Sequence, residues 1–440
     1  MAQTFVAGHA GVASMPATAD RRSIIGKVVR VAAGNFLEMY DFIVYGYYAT
    51  YIADTFFPVG SQFASLMLSL TTFGVGYLMR PLGALVLGAY IDRKGRRQGL
   101  IVTLGLMAIG TFTIAVTPGY AQIGLLAPCI VVAGRLLQGL SAGVELGGVS
   151  VYLSEIATPG NRGFYISWQS GSQQVAVIFT AVLGIALTAS ITAAQMTVWG
   201  WRIPLLVGCL IIPLIFWMRR SLQETEAFKA SRHPRSAGEV FATVLANWPI
   251  VVIGTMLAVL NTTVFYLITA YTPTFGRQAL HLDPTNNLVV TLCVGFSNFF
   301  WVITGGWLSD RIGRRTMLVA VPLATLLTAY PAMSWLAREP TFFKLLVVEL
   351  WFSLLFGLYN GSMIPSLVDM MPPKVRTAAF SLAFSLATAI FGGFTPAIAT
   401  YLIEATGSRA APALWLSFAA TISLVAAMLA KRVRSLPEPV

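Results

Sequence analysis

The sequence is short of the charged residues on which soluble proteins depend. Only 10% of its 440 residues are charged and 56% are hydrophobic, whereas soluble domains usually carry roughly 25% charged residues. A soluble fold cannot bury that much apolar surface, so the surplus must face lipid. The composition therefore excludes a soluble domain and indicates an integral membrane protein.

Cysteine and histidine are also scarce. Three cysteines lie far apart inside apolar runs, and three histidines lie outside those runs. Neither a disulfide framework nor a metal-binding spacing results, and no nucleophile–base pair suggests an integral-membrane enzyme. Residues 1–26 lack the apolar segment of a signal peptide, and we expect them to form a disordered cytoplasmic tail.

Twelve apolar runs are long enough to span a bilayer, six on each side of a polar linker. They cover 28–52, 62–90, 98–117, 122–153, 164–190, 202–218, 248–275, 287–308, 316–336, 342–369, 377–404 and 411–431. We predict an all-α integral membrane protein of twelve transmembrane helices in two pseudo-symmetric six-helix bundles. The predicted units are a tail at 1–26, a bundle at 27–218, a cytoplasmic linker at 219–246, a bundle at 247–431 and a tail at 432–440.

One polar motif occurs in each half. The pattern G-x-x-x-D-R-x-G-R-R covers residues 88–97 and again 306–315, in both places between two apolar runs. A second pattern, an acid followed by Pro and Arg at fixed spacing, leaves the fourth run at Glu155 and the tenth at Asp369. Patterns at equivalent places in two halves indicate an internal duplication.

These patterns concentrate charge at one end of the predicted bundle. Lysine and arginine also accumulate at both termini and in the linker, so both termini are predicted to be cytoplasmic. The basic loops alone could merely set this topology, but the matched acids contribute little to topology and favour charge clusters that tie helices together. The candidate residues of this latch are Gly88, Asp92, Arg93, Arg96, Arg97, Glu155, Arg162, Asp310, Arg311, Arg314, Arg315, Asp369 and Arg376.

The duplicated loop motif and the twelve spans resemble the major facilitator superfamily. Arg135-x-x-Gln138-Gly139 in the fourth span is similar to that superfamily's motif associated with proton coupling, and the fifth span lacks the Gly-Pro signature of its antiporters. The resemblance implies a symporter in which the first and fourth helices line a central cavity.

A closer resemblance, to the metabolite–proton symporter family, covers nearly the whole chain after about the first 25 residues. GNFLEMYDF at 34–42, RPLG at 80–83 and GVELGG at 143–148 resemble the family, and 139–175, 357–361 and 380–393 resemble its citrate–proton branch. Close relatives in that branch also carry tricarballylate, so the resemblance implies a tricarboxylate substrate without ranking the two.

Five charged residues lie deep in the predicted spans, where each costs on the order of 2.5–3.5 kcal/mol on insertion scales. They are Glu38 and Asp41 in the first span, Arg80 in the second, and Arg135 and Glu145 in the fourth. Helical spacing gives one stripe of Asn35, Glu38, Asp41 and Tyr45, and another of Arg135, Gln138 and Glu145. With the cavity that the resemblance implies, we expect all five charges to face one aqueous pocket.

Arg80 and Arg135 are predicted to bind the substrate, because the planar guanidinium donates two parallel hydrogen bonds to a carboxylate. With Glu38, Asp41 and Glu145 ionised, the set has a net charge of −1 and repels a polyanion. Protonation of one or two of these acids removes the repulsion, so they are the candidates for proton coupling. The alternative is a set of buried ion pairs that only holds the helices together.

The deep polar residues of the second half are mostly neutral. We interpret them as hydrogen-bonding groups on the other side of the substrate site, although interhelical packing uses the same residue types. These candidates are Asn261, Tyr266, Asn298 and Asn360, joined by Gln169 and Gln173 of the fifth span. Glu349, Asp369 and Glu404 lie nearer span ends, where we expect interfacial water.

The sequence thus predicts an inner-membrane symporter that imports a tricarboxylate with protons by alternating access. The alternatives are a symporter for another organic acid such as 2-oxoglutarate or shikimate, a betaine symporter, which two deep arginines disfavour, and a channel. Sodium coupling stays open. We expect no cofactor besides the coupling protons, no nucleic-acid partner and a monomer in the lipid bilayer.

Overall fold

The computed structural model describes residues 35–94, 96–143, 145–158, 160–219, 238, 242, 245–372 and 376–433. The side chains of 89, 91–97, 100, 145, 146, 214–219 and 431–433 lie outside this description. Most of the predicted tails and linker also falls outside it. Every regular element within the described ranges is a helix, which confirms the predicted all-α architecture.

Helices occupy all six apolar runs of the first half. Helix α1 covers 35–47 and continues as Ala49–Phe56, α2 is Gln62–Lys94, α3 is Arg96–Val116, α4 consists of Leu126–Ala142 and Glu145–Glu155, α5 is Arg162–Ser190 and α6 is Arg202–Arg219. Short helices, Tyr120–Ile123 and Ala193–Gln195, lie in the connections before α4 and α6.

The second half repeats this arrangement. Helix α7 is Trp248–Ile268, α8 is Pro284–Ile312, α9 is Arg314–Arg338, α10 is Phe342–Met370, α11 consists of Arg376–Ala387 and Thr395–Thr406, and α12 is Pro412–Val433. Local sequence fixes the start of α8. Asp283 caps α8 by accepting hydrogen bonds from the N–H groups of Thr285 (2.7 Å) and Asn286 (3.3 Å), as N-cap acids commonly do.

Nine helices of the described ranges are long and apolar enough to cross a membrane, or ten if the bent pair Ala193–Gly200 and Arg202–Pro213 forms one span. Helix α1 is described only from residue 35, and the apolar part of α3, Ile101–Val116, is shorter than the other spans. Most of the helices nevertheless coincide with the predicted runs to within about four residues. Helix α7 is the exception, because it ends at Ile268 and not at the predicted 275.

Glycine allows equivalent helix pairs to pack closely in the two halves. A Cβ on Gly139 of α4 would lie 1.6 Å from the carbonyl oxygen of Gly76 on α2. Similarly, a Cβ on Gly361 of α10 would lie 2.1 Å from the backbone nitrogen of Gly306 on α8. Neither position has room for a side chain, so the backbones touch. The α2–α4 and α8–α10 pairs are equivalent in the predicted repeat, which supports the duplication.

Several helix contacts join the two halves. Helix α5 packs along α8, and α2 packs along α11. Helix α1 meets the segment after α7, where a Cβ on Gly46 would lie 2.9 Å from the Cβ of Ala270. Tyr77 of α2 and Tyr266 of α7 also meet at this boundary, with ring centroids 5.2 Å apart.

Candidate functional site

Arg80 and Glu38 form a buried ion pair between α2 and α1. The two side chains are 3% and 1% exposed. The Arg80 guanidinium also lies 5.1 Å from the ring centroids of both Phe42 and Tyr77. The Nε of Arg80 and the second carboxylate oxygen of Glu38 have no hydrogen-bond partner among the described residues. The pair thus retains one donor and one acceptor that a ligand or water can use.

Arg135 on α4 is fully buried and has no carboxylate within salt-bridge distance among the described residues. It donates hydrogen bonds to the side-chain oxygen of Gln138 (2.8 Å) and the carbonyl of Phe73 (3.1 Å). The rings of Phe42 and Tyr45 lie 4.6 Å and 4.5 Å from its guanidinium carbon. Aromatic faces partly stabilise a desolvated cation, but no carboxylate of the described residues pairs directly with this one.

Asp41 connects to Arg135 through a chain of hydrogen bonds. One Asp41 carboxylate oxygen accepts from Thr111 Oγ1 at 2.6 Å, and Gln138 Nε2 donates to the same hydroxyl at 2.8 Å. Gln138 in turn accepts from Arg135. Asp41 and Glu38 therefore have different partners, although they lie one turn apart. Thr111 on α3 is a site residue that the sequence did not reveal, because a single threonine in a span carries no pattern.

The remaining first-half candidates are less closely connected to the arginines. Asn35 is fully buried and its amide has no partner among the described residues. The Tyr45 hydroxyl donates to the carbonyl of Ser69 at 3.4 Å. Glu145 begins the second segment of α4, and its side chain lies outside the described part of the structure. The predicted third acid of the site therefore stays a prediction.

Tyr266 on α7 is the second-half candidate that reaches the arginines' surroundings. Its ring centroid lies 5.2 Å from that of Tyr77 and 6.0 Å from that of Phe73, both on α2. Tyr77 is fully buried and also faces Arg80. Sequence analysis missed Phe42, Phe73 and Tyr77, because aromatic residues make up 12% of the chain and only their contacts distinguish them.

The three asparagine candidates of the second half bond to polar side chains of neighbouring helices. Asn360 on α10 donates to Asn261 on α7 at 2.9 Å. Asn298 on α8 accepts from Ser353 at 2.7 Å and donates to Gln174 on α5 at 3.1 Å. The last bond crosses between the halves, and Gln174 was not among the predicted residues.

Gln169 and Gln173 are the predicted glutamines of α5, and within the described ranges neither one forms a hydrogen bond to the second half. Gln169 is fully buried and accepts from the hydroxyl of Ser170 at 2.9 Å. Gln173 is 8% exposed. Their contact with a substrate stays a prediction.

Two expectations about water access are wrong for this conformation. The side chains of Glu38, Asp41, Arg80 and Arg135 are at most 3% exposed, so they face an enclosed centre and not an aqueous pocket. Glu349 is only 5% exposed, because α10 packs against the segment after α7 at this level. Interfacial water therefore does not explain Glu349, whereas Glu404 is exposed as expected.

Asp369 joins the halves at the end of the bundle where α5 begins and α10 ends. We call this end the latch face and the opposite end the far face. Asp369 forms an ion pair with Arg162 of α5 at 3.1 Å and a second one with Arg314 of α9. One acid of the second half thus binds a cation from each half, as the repeated patterns predicted for a charge cluster.

Asp310 on α8 also binds the first half at the latch face. Its two carboxylate oxygens accept hydrogen bonds from the backbone N–H groups of Gly163 (2.9 Å) and Phe164 (3.1 Å) in the first turn of α5. Arg314 lies 3.6 Å from the same carboxylate. An acid at a helix N-terminus satisfies free N–H groups and the positive end of the helix dipole.

The remaining residues of the predicted latch make fewer contacts than Asp310 and Asp369, or their side chains lie outside the described part of the structure. Arg311 stacks on the Trp307 ring at 4.2 Å, while Glu155 and Arg315 are exposed. Gly88 lies within α2, and Arg376, which begins α11, has an Nε without a partner among the described residues. The side chains of Asp92, Arg93, Arg96 and Arg97 lie outside the described residues.

A duplicated bundle of spanning helices with buried charged residues inside it is the architecture of a multi-pass membrane transporter. A model of the Major Facilitator Superfamily matches residues 31–388, and the chain belongs to that superfamily. The chain is similar to a solved D-xylose-proton symporter, with a TM-score of 0.74 and 17% identity over 94% of this chain and 98% of that one. This likeness shows the fold alone.

Two curated relatives are much more similar in sequence. A citrate-proton symporter of Klebsiella pneumoniae is 59% identical over 91% of this chain and 90% of its own length. A citrate-proton symporter of Salmonella typhi is 57% identical over 93% of this chain and 94% of its own.

Proposed function

We propose that this transporter imports a tricarboxylate, citrate or tricarballylate, together with protons across the bacterial inner membrane. The observation that carries the proposal is Arg135, a fully buried guanidinium without a carboxylate partner among the described residues. An uncompensated buried charge is costly unless a counter-ion joins it. A substrate carboxylate supplies that counter-ion, and the names of the two citrate-proton symporters described above agree with a tricarboxylate.

Arg80 completes the anion site in this proposal. It pairs with Glu38 in the present conformation, and protonation of Glu38 would release the guanidinium for a second substrate carboxylate. Asn35, Tyr45, Gln138, Gln169 and Gln173 supply further polar contacts from the first half. The second half contributes Tyr266, which lies against Tyr77, with Asn261, Asn298 and Asn360 farther along the interface.

Asp41 is the proposed coupling acid nearest to Arg135, and Glu38 and Glu145 complete the proton-binding set. The Thr111 and Gln138 side chains link the Asp41 carboxylate to the Arg135 guanidinium. A proton on Asp41 removes a negative charge from this network and so strengthens the attraction of Arg135 for an anion. Proton and substrate therefore bind together, which is the requirement for symport.

The latch face is the cytoplasmic face in this proposal, with both termini on that side, because lysine and arginine accumulate there. The units are a bundle at 27–218, a linker at 219–246 and a bundle at 247–431, with tails at 1–26 and 432–440. Breaking the contacts of Asp310 and Asp369 opens the cytoplasmic side, and the carrier works as a monomer. The same roles are proposed for the first-half motif, Asp92 to Arg97.

Uptake into proteoliposomes tests the proposal. Labelled citrate should accumulate under an inward proton gradient without sodium, and a protonophore should abolish accumulation. Unlabelled tricarballylate should compete, whereas 2-oxoglutarate and shikimate should not. Competition by one of those acids with no citrate uptake would replace the tricarboxylate with the alternative substrate class.

Replacing Asp41 with Asn should abolish proton-driven accumulation but leave citrate counterflow, because the neutral amide imitates the protonated acid. Glu339 offers a matched control, since it is an exposed acid that pairs only with Lys344 among the described residues. Glu339→Gln should transport normally. Uphill uptake by Asp41→Asn at the wild-type level would remove Asp41 from the coupling role.

A further inference from the structure

Glu349 is a third deeply buried acid, after Glu38 and Asp41, and it lies in the half of the chain that contributes no acid to the site above. It is on α10, seven residues after Phe342, or roughly 10 Å along the helix from its first residue. It is 5% exposed, and no lysine, arginine or histidine of the described residues lies within salt-bridge distance of it. An ionised carboxylate in such a place is strongly unfavourable.

The surroundings of Glu349 contain little that stabilises a negative charge. One carboxylate oxygen accepts a hydrogen bond from Thr272 Oγ1 at 3.0 Å, and the other has no partner among the described residues. A cavity of only about 10 Å³ lies beside it, with a mainly apolar lining from α7, the chain just after it, α9, α10 and the start of α12. Tyr271 is the one other titratable group of that lining, and its hydroxyl accepts from Thr400 at 2.9 Å.

The hydrogen bond from Thr272 attaches Glu349 to a break in the backbone after α7. Helix α7 ends at Ile268, and a short helix, Thr272–Thr274, follows. Ala270 in this break packs against Gly46 of α1, and Arg277 just beyond it lies 4.9 Å from the ring centroid of Tyr51 on α1. We call residues 269–274 the break segment. It is where the second half closes against the first at the far face.

We propose that Glu349 is a second proton-binding site, and that its proton keeps the break segment after α7 docked at the far face. The bound proton makes the acid neutral, so the apolar pocket and the single donor of Thr272 suffice for it. When the break segment moves away, water reaches the pocket and the carboxyl group releases its proton to that water. Rebinding a proton from the far-face solution allows the segment to dock again. The inference rests on the proposed proton symport and adds a proton site in the second half.

Infrared difference spectroscopy of the reconstituted protein tests proton binding without any substrate. Spectra in acidic and alkaline buffer should show a buried, protonated carboxyl band that titrates, and Glu349→Gln should remove that band. Glu349→Asp should restore a titrating band with a changed midpoint, which keeps the test usable if the glutamine variant folds poorly. A spectrum that Glu349→Gln leaves unchanged over the whole titration would overturn the proposal.

Cysteine labelling tests whether this proton controls the break segment. Thr274 is 3% exposed and similar in size to cysteine, so Thr274→Cys reports opening with little disturbance. In a chain whose three native cysteines are replaced by serine, labelling by a polar maleimide should become faster in alkaline buffer. The denatured protein corrects for the thiol's own reactivity. Glu349→Gln should abolish this pH dependence.

The outcomes separate this inference from the proposed transport function. A titrating band with pH-dependent labelling that Glu349→Gln abolishes supports the inference, whether or not citrate is the substrate. Labelling that stays equally pH-dependent in Glu349→Gln overturns the link between the proton and the segment. Failure of citrate uptake in the wild-type protein concerns the proposed substrate alone, since neither measurement contains substrate.

Discussion

Replacing Asp310 with Asn should open the latch face. Asp310 is 7% exposed, and each carboxylate oxygen accepts one backbone N–H from Gly163 or Phe164 of α5. Asparagine keeps one acceptor and presents an NH₂ group to the other N–H, so one charged hydrogen bond is lost. Such a bond contributes about 1.5–3 kcal/mol. Because 1.4 kcal/mol corresponds to a factor of ten, the ratio of open to closed latch face should rise by roughly 10- to 100-fold.

The labelling rate of a cysteine at Ser167 measures this shift. Ser167 on α5 is 2% exposed, and a Cβ on Gly306 of α8 would lie 2.8 Å from its Cβ. A reagent reaches this position only when α5 and α8 separate. In lipid nanodiscs, with the native cysteines replaced by serine, a polar maleimide should react with Ser167→Cys roughly 10- to 100-fold faster when Asp310→Asn is present.

The far face supplies the control for this experiment. Glu339 is 79% exposed and pairs with Lys344 at 2.9 Å, and exposed pairs contribute little. Glu339→Gln should therefore leave the labelling rate unchanged. If Asp310→Asn also leaves the labelling rate unchanged, the prediction is refuted. The latch face would then stay closed without the hydrogen bonds that Asp310 accepts from the first turn of α5.

Further predictions concern packing and the buried ion pair. Gly139→Ala should prevent folding into a stable bundle, because the added Cβ would lie 1.6 Å from the carbonyl oxygen of Gly76. Gly105→Ala should be tolerated, because nothing lies within 4 Å of its Cβ. Thermal unfolding in detergent compares the two variants, and equal stability would contradict the packing argument. Glu38→Gln leaves Arg80 uncompensated and should destabilise the protein by about 3–5 kcal/mol. The double variant Glu38→Gln/Arg80→Met should recover most of that loss in the same assay, and no recovery would mean that the two residues act independently.

Sequence reasoning succeeded where side-chain chemistry is repeated in a recognisable pattern. Two copies of an acid-and-cation motif predicted a charge cluster, and Asp369 does bind Arg162 and Arg314. The partners of Asp310 could not be predicted in the same way. They are backbone N–H groups, which every residue except proline carries, so no residue type marks them.

The neutral residues of the centre show a different difficulty. Asn298 has the same sequence signal whether it binds substrate or a neighbouring helix, and in this conformation it bonds to Gln174 and Ser353. The aromatic residues around Arg135 resemble those that face lipid elsewhere in the chain. Only the three-dimensional contacts distinguish these roles, because a membrane span is apolar on its lipid side as well as inside the bundle.

The hydrogen bond between Gln174 and Asn298 has a mechanical consequence. Gln174 lies twelve residues from the start of α5 and sixteen from its end, or roughly 18 Å and 24 Å along the helix. A relative rotation of the halves by roughly 15° about this level would move the latch-face end of α5 by about 5 Å, enough to break the contacts of Asp310, while the two amides barely separate. The bond between Gln174 and Asn298 would therefore lie at the level about which the halves rotate, and it would stay intact while either end of the carrier opens.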